Sequence, residues 1–398
     1  MKKSIWDHLL IIILIVLMII ASSCQFEEYE PYIKPDNSKE IKDYKVTFDK
    51  IRHYSKVLIN FSSLNYYSEC GFDTTSAIAD FDLDGDDDIF LAPQCSDGEE
   101  RQPEMIFFEN VNGKFIKSDW IISNNIGLMS GTRQTIIGDY NGDRVPDLFF
   151  AAHNGHGVGG GYPSIMLSTS EGFEYKEFNI EKGWYSFGSS GDIDNDGDLD
   201  IIVSGREYGI FINNGDGSFN FTFDFIKNYS GKIGVTSLID INNDGQLDLF
   251  FRNYNEHKVI FNSYGSFDYN NSINLSHTKY FFHSDNSAEV LDLDMDIQDR
   301  VFFDIDNDGD LDIVFASIPH NDNDSPIGFF YNIRILINNN LLFEDKTKDL
   351  IDESRYERYI EWLRFYDLDN NGFVELFENQ KKDNFFYKEW NGSKFIEK

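Results

Sequence analysis

One acidic nonapeptide, D-x-D/N-x-D/N-G-x-x-D/E, occurs six times in this chain of 398 residues. The copies are Asp80–Asp88 (DFDLDGDDD), Asp139–Asp147 (DYNGDRVPD), Asp192–Asp200 (DIDNDGDLD), Asp240–Asp248 (DINNDGQLD), Asp304–Asp312 (DIDNDGDLD) and Asp367–Glu375 (DLDNNGFVE), referred to below as loops 1 to 6. Their first residues are 59, 53, 48, 64 and 63 apart. A motif returning at that spacing restricts the chain to a repeat architecture in which each copy belongs to one supersecondary unit.

The motif has the chemistry of a cation loop. Oxygens at positions 1, 3, 5 and 9 converge if a Gly at position 6 reverses the chain, and a position 7 carbonyl completes the oxygen shell that Ca²⁺ prefers. The expected side-chain ligands in loops 1 to 3 are Asp80, Asp82, Asp84 and Asp88; Asp139, Asn141, Asp143 and Asp147; Asp192, Asp194, Asp196 and Asp200. In loops 4 to 6 they are Asp240, Asn242, Asp244 and Asp248; Asp304, Asp306, Asp308 and Asp312; Asp367, Asp369, Asn371 and Glu375. Position 7 is Asp86, Val145, Asp198, Gln246, Asp310 and Phe373 in turn. The composition agrees: 69 Asp+Glu against 34 Lys+Arg leave a net charge of −35, which six Ca²⁺ would reduce to −23. A field of that sign repels a phosphate backbone, so nucleic acid is not an expected partner.

An EF-hand would need Glu at position 12 and flanking helices. Position 12 is Leu91, Phe150, Val203, Phe251 and Phe315 in the first five copies, inside β-like apolar runs. Only loop 6, with Glu378 there and SRYERYIEWLRFY upstream, leaves that alternative open. A further acidic run, Asp292, Asp294 and Asp296, has Ile297 and Arg300 at positions 6 and 9 and reads as a strand or surface loop instead.

A second marker accompanies the first. Each loop is followed by an apolar strand and then a segment ending in Gly or Asn just before Phe. These pairs are Gly113/Phe115, Gly172/Phe173, Gly217/Phe219, Gly265/Phe267, Asn340/Phe343 and Gly392/Phe395. Each period therefore reads as strand A, acidic loop, strand B, variable loop, strand C, tight turn, strand D. Four strands per period is the signature of a propeller blade.

The two markers together resemble the FG-GAP/VCBS repeat family, whose blades carry this calcium loop between their first two strands, as in the integrin α-subunit propeller. The resemblance covers roughly residues 73–398. It implies an all-β fold, a β-propeller of four-stranded antiparallel blades, with calcium ligands at positions 1, 3, 5 and 9 of each copy. Six blades are the preferred count and seven the alternative; residues 45–72 could add a closing strand or a partial blade without the motif. Loops 2 and 6 depart from the pattern. Arg144 takes the Gly position in loop 2, where a left-handed backbone costs ~1–2 kcal/mol. Asn371 and Glu375 make loop 6 less negative and differently shaped.

The chain begins with Lys2 and Lys3, then the apolar run Leu9–Ala21 and Ser22-Ser23-Cys24. That run is short for a bilayer span and has the layout of a secretory signal. Ala21–Cys24 resembles a bacterial lipobox, which implies residues 1–23 as signal peptide, lipidation of Cys24, residues 24–44 as a tether and 45–398 as the propeller. The expected location is the bacterial outer membrane, periplasmic or surface-exposed, with membrane contact through the lipid alone. In an exported protein Cys70 and Cys95 are a disulfide candidate.

No nucleophile elbow, phosphate-binding loop, zinc-type spacing or dinucleotide fingerprint occurs in the sequence. The preferred function is a non-enzymatic binding module for a glycan or protein; a lyase-like propeller enzyme and a purely structural scaffold are the alternatives. Loop lengths indicate a ligand face. From position 9 to the following Phe is 27, 26 and 31 residues in copies 1, 2 and 5 but 19 or 20 in the others. Phe267 to Asp304 is 37 residues, against 19 to 24 for the other D–A connectors. In an up-and-down blade these insertions all lie opposite the acidic loops. They carry Arg101, His153, His156, Tyr162, His277, Tyr280, His283 and His320, the candidate ligand residues.

Overall fold

The chain divides into two units, Met1–Tyr44 and Lys45–Lys398. A computed structural model describes, in the second, residues 74–93, 105–111, 114–118, 132–152, 160–170, 172–253, 256–275, 280–284, 287–291, 295–319, 331–351, 355–356, 363–366, 375–379 and 385–397. Cys24, Cys70, Cys95, Arg101, His153, His156, His277, His320, Asp367, Asp369, Asn371 and Phe373 lie outside the described residues. For Tyr280, His283 and Glu375 the backbone alone is described.

Each repeat builds one antiparallel sheet from consecutive strands. Sheet 1 contains β1 (Thr74–Ala79), β2 (Asp88–Pro93), β3 (Ile106–Val111) and β4 (Lys114–Ser118). Sheet 2 contains β5 (Thr132–Gly138), β6 (Asp147–Ala152), β7 (Ser164–Thr169) and β8 (Gly172–Glu177). Sheet 3 contains β9 (Phe187–Gly191), β10 (Asp200–Ser204), β11 (Gly209–Asn213) and β12 (Phe219–Thr222). Sheet 4 has β14 (Val235–Ile239), β15 (Asp248–Arg252), β16 (His257–Asn262) and β17 (Phe267–Asn274), with the short β13 (Ile226–Lys227) parallel to β17 on the outer edge. A hairpin of β18 (Tyr280–Ser284) and β19 (Ser287–Leu291) occupies the long connector that follows. Sheet 5 has β20 (Met295–Phe303), β21 (Asp312–Pro319), β22 (Tyr331–Asn339) and β23 (Leu342–Asp345), then the one-turn α1 (Thr347–Leu350) and β24 (Arg355–Tyr356). Sheet 6 has β25 (Leu363–Tyr366), β26 (Glu375–Asn379), β27 (Phe385–Trp390) and β28 (Phe395–Glu397).

Loop 6 thus joins two paired strands, β25 and β26, which excludes the helix-flanked alternative. Asp296 of the further acidic run lies on β20, as a strand reading requires.

The sheets stack face to face around their first strands. β1 neighbours β5, β5 neighbours β9, β9 neighbours β14, and β20 neighbours β25. Between β14 and β20, Arg300 donates from Nε to Ser237 Oγ and from Nη2 to the Thr236 carbonyl. One apolar core fills each gap. Phe81, Phe90 and Phe107 of sheet 1 meet Phe150, Met166 and Phe173 of sheet 2. Further cores lie between sheets 2 and 3 around Phe149 and Phe211, and between 3 and 4 around Ile202 and Phe251. Two more lie between 4 and 5 around Phe250 and Phe315, and between 5 and 6 around Ile335 and Leu376. A sheet sandwiched on both faces cannot show the apolar–polar alternation of a half-solvated one. The second strands accordingly read as unbroken apolar runs, and all six residues of β6 are buried. The outermost strands face solvent and do alternate, as in β12. This radial stack of four-stranded antiparallel sheets is a β-propeller arrangement.

Candidate metal centres

The five described acidic loops share one hydrogen-bond plan. In loop 3 the N–H groups of Asp196 and Gly197 donate to the two oxygens of Asp192, and Asp198 N–H donates to Asp196. The same three bonds recur on Asp80 and Asp84, Asp139 and Asp143, Asp240 and Asp244, and Asp304 and Asp308. The chain wraps around its first aspartate, which is why position 1 is Asp in every copy.

Wrapping this tightly requires two left-handed residues. Position 6 has φ of 97°, 71°, 97°, 83° and 95° at Gly85, Arg144, Gly197, Gly245 and Gly309. Position 4 is also left-handed, with φ between 57° and 76° at Leu83, Gly142, Asn195, Asn243 and Asn307. Loop 2 therefore exchanges its glycine from position 6 to position 4. Arg144 keeps the left-handed turn at a local cost, and Gly142 removes the cost from the other left-handed site.

Position 9 does more than the sequence suggests. Asp88, Asp147, Asp200, Asp248 and Asp312 are fully buried. One oxygen of each accepts the N–H of position 2 (Phe81, Tyr140, Ile193, Ile241, Ile305), and the other accepts an N–H from the third strand (Asn110, Ser168, Asn213, Asn262, Asn338). These carboxylates clamp the loop to its own sheet. Burial pushes Asp88 up to about 7 and Asp147, Asp200, Asp248 and Asp312 up to about 6, with the N–H bonds opposing.

Position 2 in turn locks adjacent sheets. Phe81 packs edge-on against Phe173 at 5.6 Å, and Tyr140 against Phe219 at 5.9 Å. Ile193 shares a core with Phe267, Ile241 with Phe343 and Ile305 with Phe395. In sheets 2 to 6 the Phe after the tight turn is therefore the residue that meets the acidic loop of the preceding sheet.

The remaining acids can hold a cation. Asp80, Asp82 and Asp88 bring carboxylate oxygens within 4.8 Å of one another, as do Asp192, Asp194 and Asp200, and Asp304, Asp306 and Asp308. Among the described residues, loops 2 and 4 form no such acidic trio; their third position is Asn141 or Asn242. Burial and then the neighbouring aspartates push Asp194 and Asp306 above the usual carboxylate range. Burial does the same to Asp82, with Asp84 and Asp80 adding and the Asp84 N–H opposing. One oxygen of Asp194, Oδ1, is buried with no hydrogen-bond partner. Converging anionic oxygens, raised by one another and with a buried lone pair unused, fit a hard divalent cation.

Position 7 side chains serve the adjacent tight turn: Asp310 accepts the Asn340 N–H at 2.7 Å and Gln246 the Tyr264 N–H at 2.8 Å. The opposite end of the sheets carries the connections of variable length. There Gly161, in the second sheet's B–C loop, pairs with Gly183 in the connector to sheet 3, and Arg206 N–H donates to the Trp184 carbonyl. Tyr162 lies beside them with Lys182 Nζ 5.1 Å from its ring centre. Of the eight ligand-face candidates, Tyr162 is the one whose side chain is described.

No curated protein matches the sequence. Among solved structures, an Agrocybe aegerita lectin described as recognising non-reducing terminal N-acetylglucosamine superposes with a TM-score of 0.41 at 15% identity, over 68% of this chain and 64% of that one. The chain thus spans under two thirds of that lectin's length. A mutant of AofleA from Arthrobotrys oligospora gives 0.38 at 7% identity, over 83% and 91%. The Vibrio cholerae biofilm matrix protein Bap1 gives 0.21 at 12%, over 81% and 68%. Superpositions this loose carry nothing about ligands. The FG-GAP-like repeat, in contrast, matches at the level of sequence and over two of the loop-bearing stretches. Residues 80–150 and 192–251, which carry loops 1 to 4, match the model of the FG-GAP-like repeat, the family that the acidic loops and Gly–Phe turns resemble.

Proposed function

We propose that the protein is a calcium-stabilised, non-enzymatic binding propeller of six blades, carried on the bacterial outer membrane by a lipidated Cys24 and facing the periplasm or the exterior. Its ligand is a glycan or a protein, bound on the face opposite the acidic loops. The observation that carries this reading is the division of labour between the two ends of the sheets. At one end five loops repeat the same bonds to within small variations, as a structural metal framework requires. At the other, the connections differ in length from sheet to sheet and pair with one another, as Gly161 does with Gly183. Recognition needs variation; a framework needs repetition.

Shortening residues 151–163 to the length of the corresponding loop in sheet 3 tests the face. Calcium-loaded, folded protein should lose ligand binding after this trim or a matching trim of 316–328. Retention of binding in both, with loss on mutations beside the acidic loops, would place the ligand on the wrong end for this reading.

A further inference from the structure

Connector residues 228–232, which lead toward β14, line an open, shallow pocket of about 460 Å³ against the outer edge of sheet 4. It is lined by Asn228, Tyr229, Ser230, Lys232, Asn253 and Tyr269.

The pocket is held in shape before any ligand arrives. Tyr229 OH donates to the Lys232 carbonyl at 2.7 Å, and Tyr208 OH to the Gly231 carbonyl at 3.2 Å. Asn228, in a left-handed conformation at φ 61°, donates from Nδ2 to Asp268 at 2.8 Å. A Cβ on residue 231 would stand 2.3 Å from the Tyr229 hydroxyl, so a larger residue there would displace that ring. Tyr229 and Tyr269 lie 5.0 Å apart at 34°, and Phe251 supports Tyr229 edge-on from behind at 4.9 Å. Lys258 Nζ sits 4.4 Å from the Tyr269 ring centre. Preorganisation of this kind removes part of the ordering cost of binding.

Resting on the reading that the non-calcium end binds ligand, we propose that this pocket takes one uncharged pyranose of a glycan. Tyrosine ring faces are electron-rich and suit the polarised C–H face of a sugar ring. Ser230 and Lys232 place a hydroxyl and an ammonium group beside that platform for the hydroxyl edge, while the Asn253 amide is taken up by the Tyr229 hydroxyl and the Glu256 N–H. The carboxylates of Glu256, bonded to Tyr269 OH, and Asp268, bonded to Asn228, balance the ammonium groups of Lys258 and Lys232, so the surroundings offer no net positive charge to an anionic sugar.

The test uses saturation-transfer NMR and calorimetry on calcium-loaded protein. The probes are the methyl glycosides of glucose, galactose, mannose, N-acetylglucosamine and glucuronic acid. At least one neutral glycoside should bind, and Ser230→Trp, which fills the pocket from an exposed position, should weaken it at least tenfold. Lys232→Ala, also exposed, should weaken it less. Binding unchanged by Ser230→Trp but lost on trimming 151–163 would overturn the pocket and leave the face standing. Binding lost only by changes beside the acidic loops would overturn both. Preference for the glucuronide, or no binding to any of the five probes by the unmutated protein, would also overturn the pocket, whatever a protein partner does at the same face.

Discussion

The side-chain amide of Asn262, on the third strand of sheet 4, donates a 2.8 Å hydrogen bond to the carbonyl of Ile193, in the acidic loop of sheet 3. Asn262 also donates its backbone N–H to Asp248 of its own loop. One buried residue thus ties two successive acidic loops together. Asn213 repeats the arrangement one sheet back, reaching the Tyr140 carbonyl and Asp200.

Asn262→Ala removes the bond across the sheets and leaves the Ile193 carbonyl buried without it. Urea unfolding in calcium should show a loss of about 1–3 kcal/mol, the cost of a stranded buried polar group. Asn214→Ala, on an exposed turn, should cost much less under the same conditions.

Asp192→Ala should hurt more than Asp139→Ala. Asp192 belongs to a trio of converging carboxylates, whereas loop 2 has Asn141 at position 3. Losing an occupied site at a calcium concentration 100 times its dissociation constant costs about 2.7 kcal/mol. Bound calcium measured by elemental analysis should fall by one ion in the first variant, and the thermal midpoint should drop further than in the second.

The buried position 9 carboxylates give the metal-free protein a pH signature. Their folded values, about 6 for Asp147, Asp200, Asp248 and Asp312 and about 7 for Asp88, lie above the ordinary 3.8. Between those limits the folded state binds more protons than the unfolded one, so stability falls as pH rises. In chelator, the thermal midpoint should therefore be higher at pH 5 than at pH 7.5. In saturating calcium the order should reverse, because protons then compete with the metal.

Much of this was legible in the sequence because the same unit is written six times. Strand order, the acidic loops between first and second strands, and the Gly–Phe turns all follow from spacing. What escaped was information without a distinctive residue type. The left-handed position 4 is Leu, Gly or Asn, and Leu83 conceals it. The third-strand Asn or Ser that feeds position 9 is visible only once Ile201 is seen opposite Phe211, two residues before Asn213. In sheet 6 the same register, Leu376 opposite Lys388, puts Trp390 at that place. The Tyr229 pocket was missed because it is assembled from a connector, a B–C loop and an outer strand of ordinary composition. Length variation indicated which end of the sheets is variable, but not which of its residues converge.

Cys70 and Cys95 should be joined. The last described pair between β1 and β2 is Thr74 opposite Pro93, and Cys70 and Cys95 lie four and two residues from it in the sequence, outside the described residues. Thiol titration of unfolded protein should find two more free thiols after reduction than before; equal counts would contradict the bridge.

The central claim is that metal in the acidic loops holds the sheets together. Without it, trios such as Asp192, Asp194 and Asp200 face one another unscreened. The most direct test is the thermal midpoint at pH 7.5, followed by circular dichroism, in excess chelator with calcium removal verified by elemental analysis, and again after calcium is restored. A fall of many degrees that calcium reverses and magnesium does not is the expected result. An unchanged midpoint in verified metal-free protein would contradict the account.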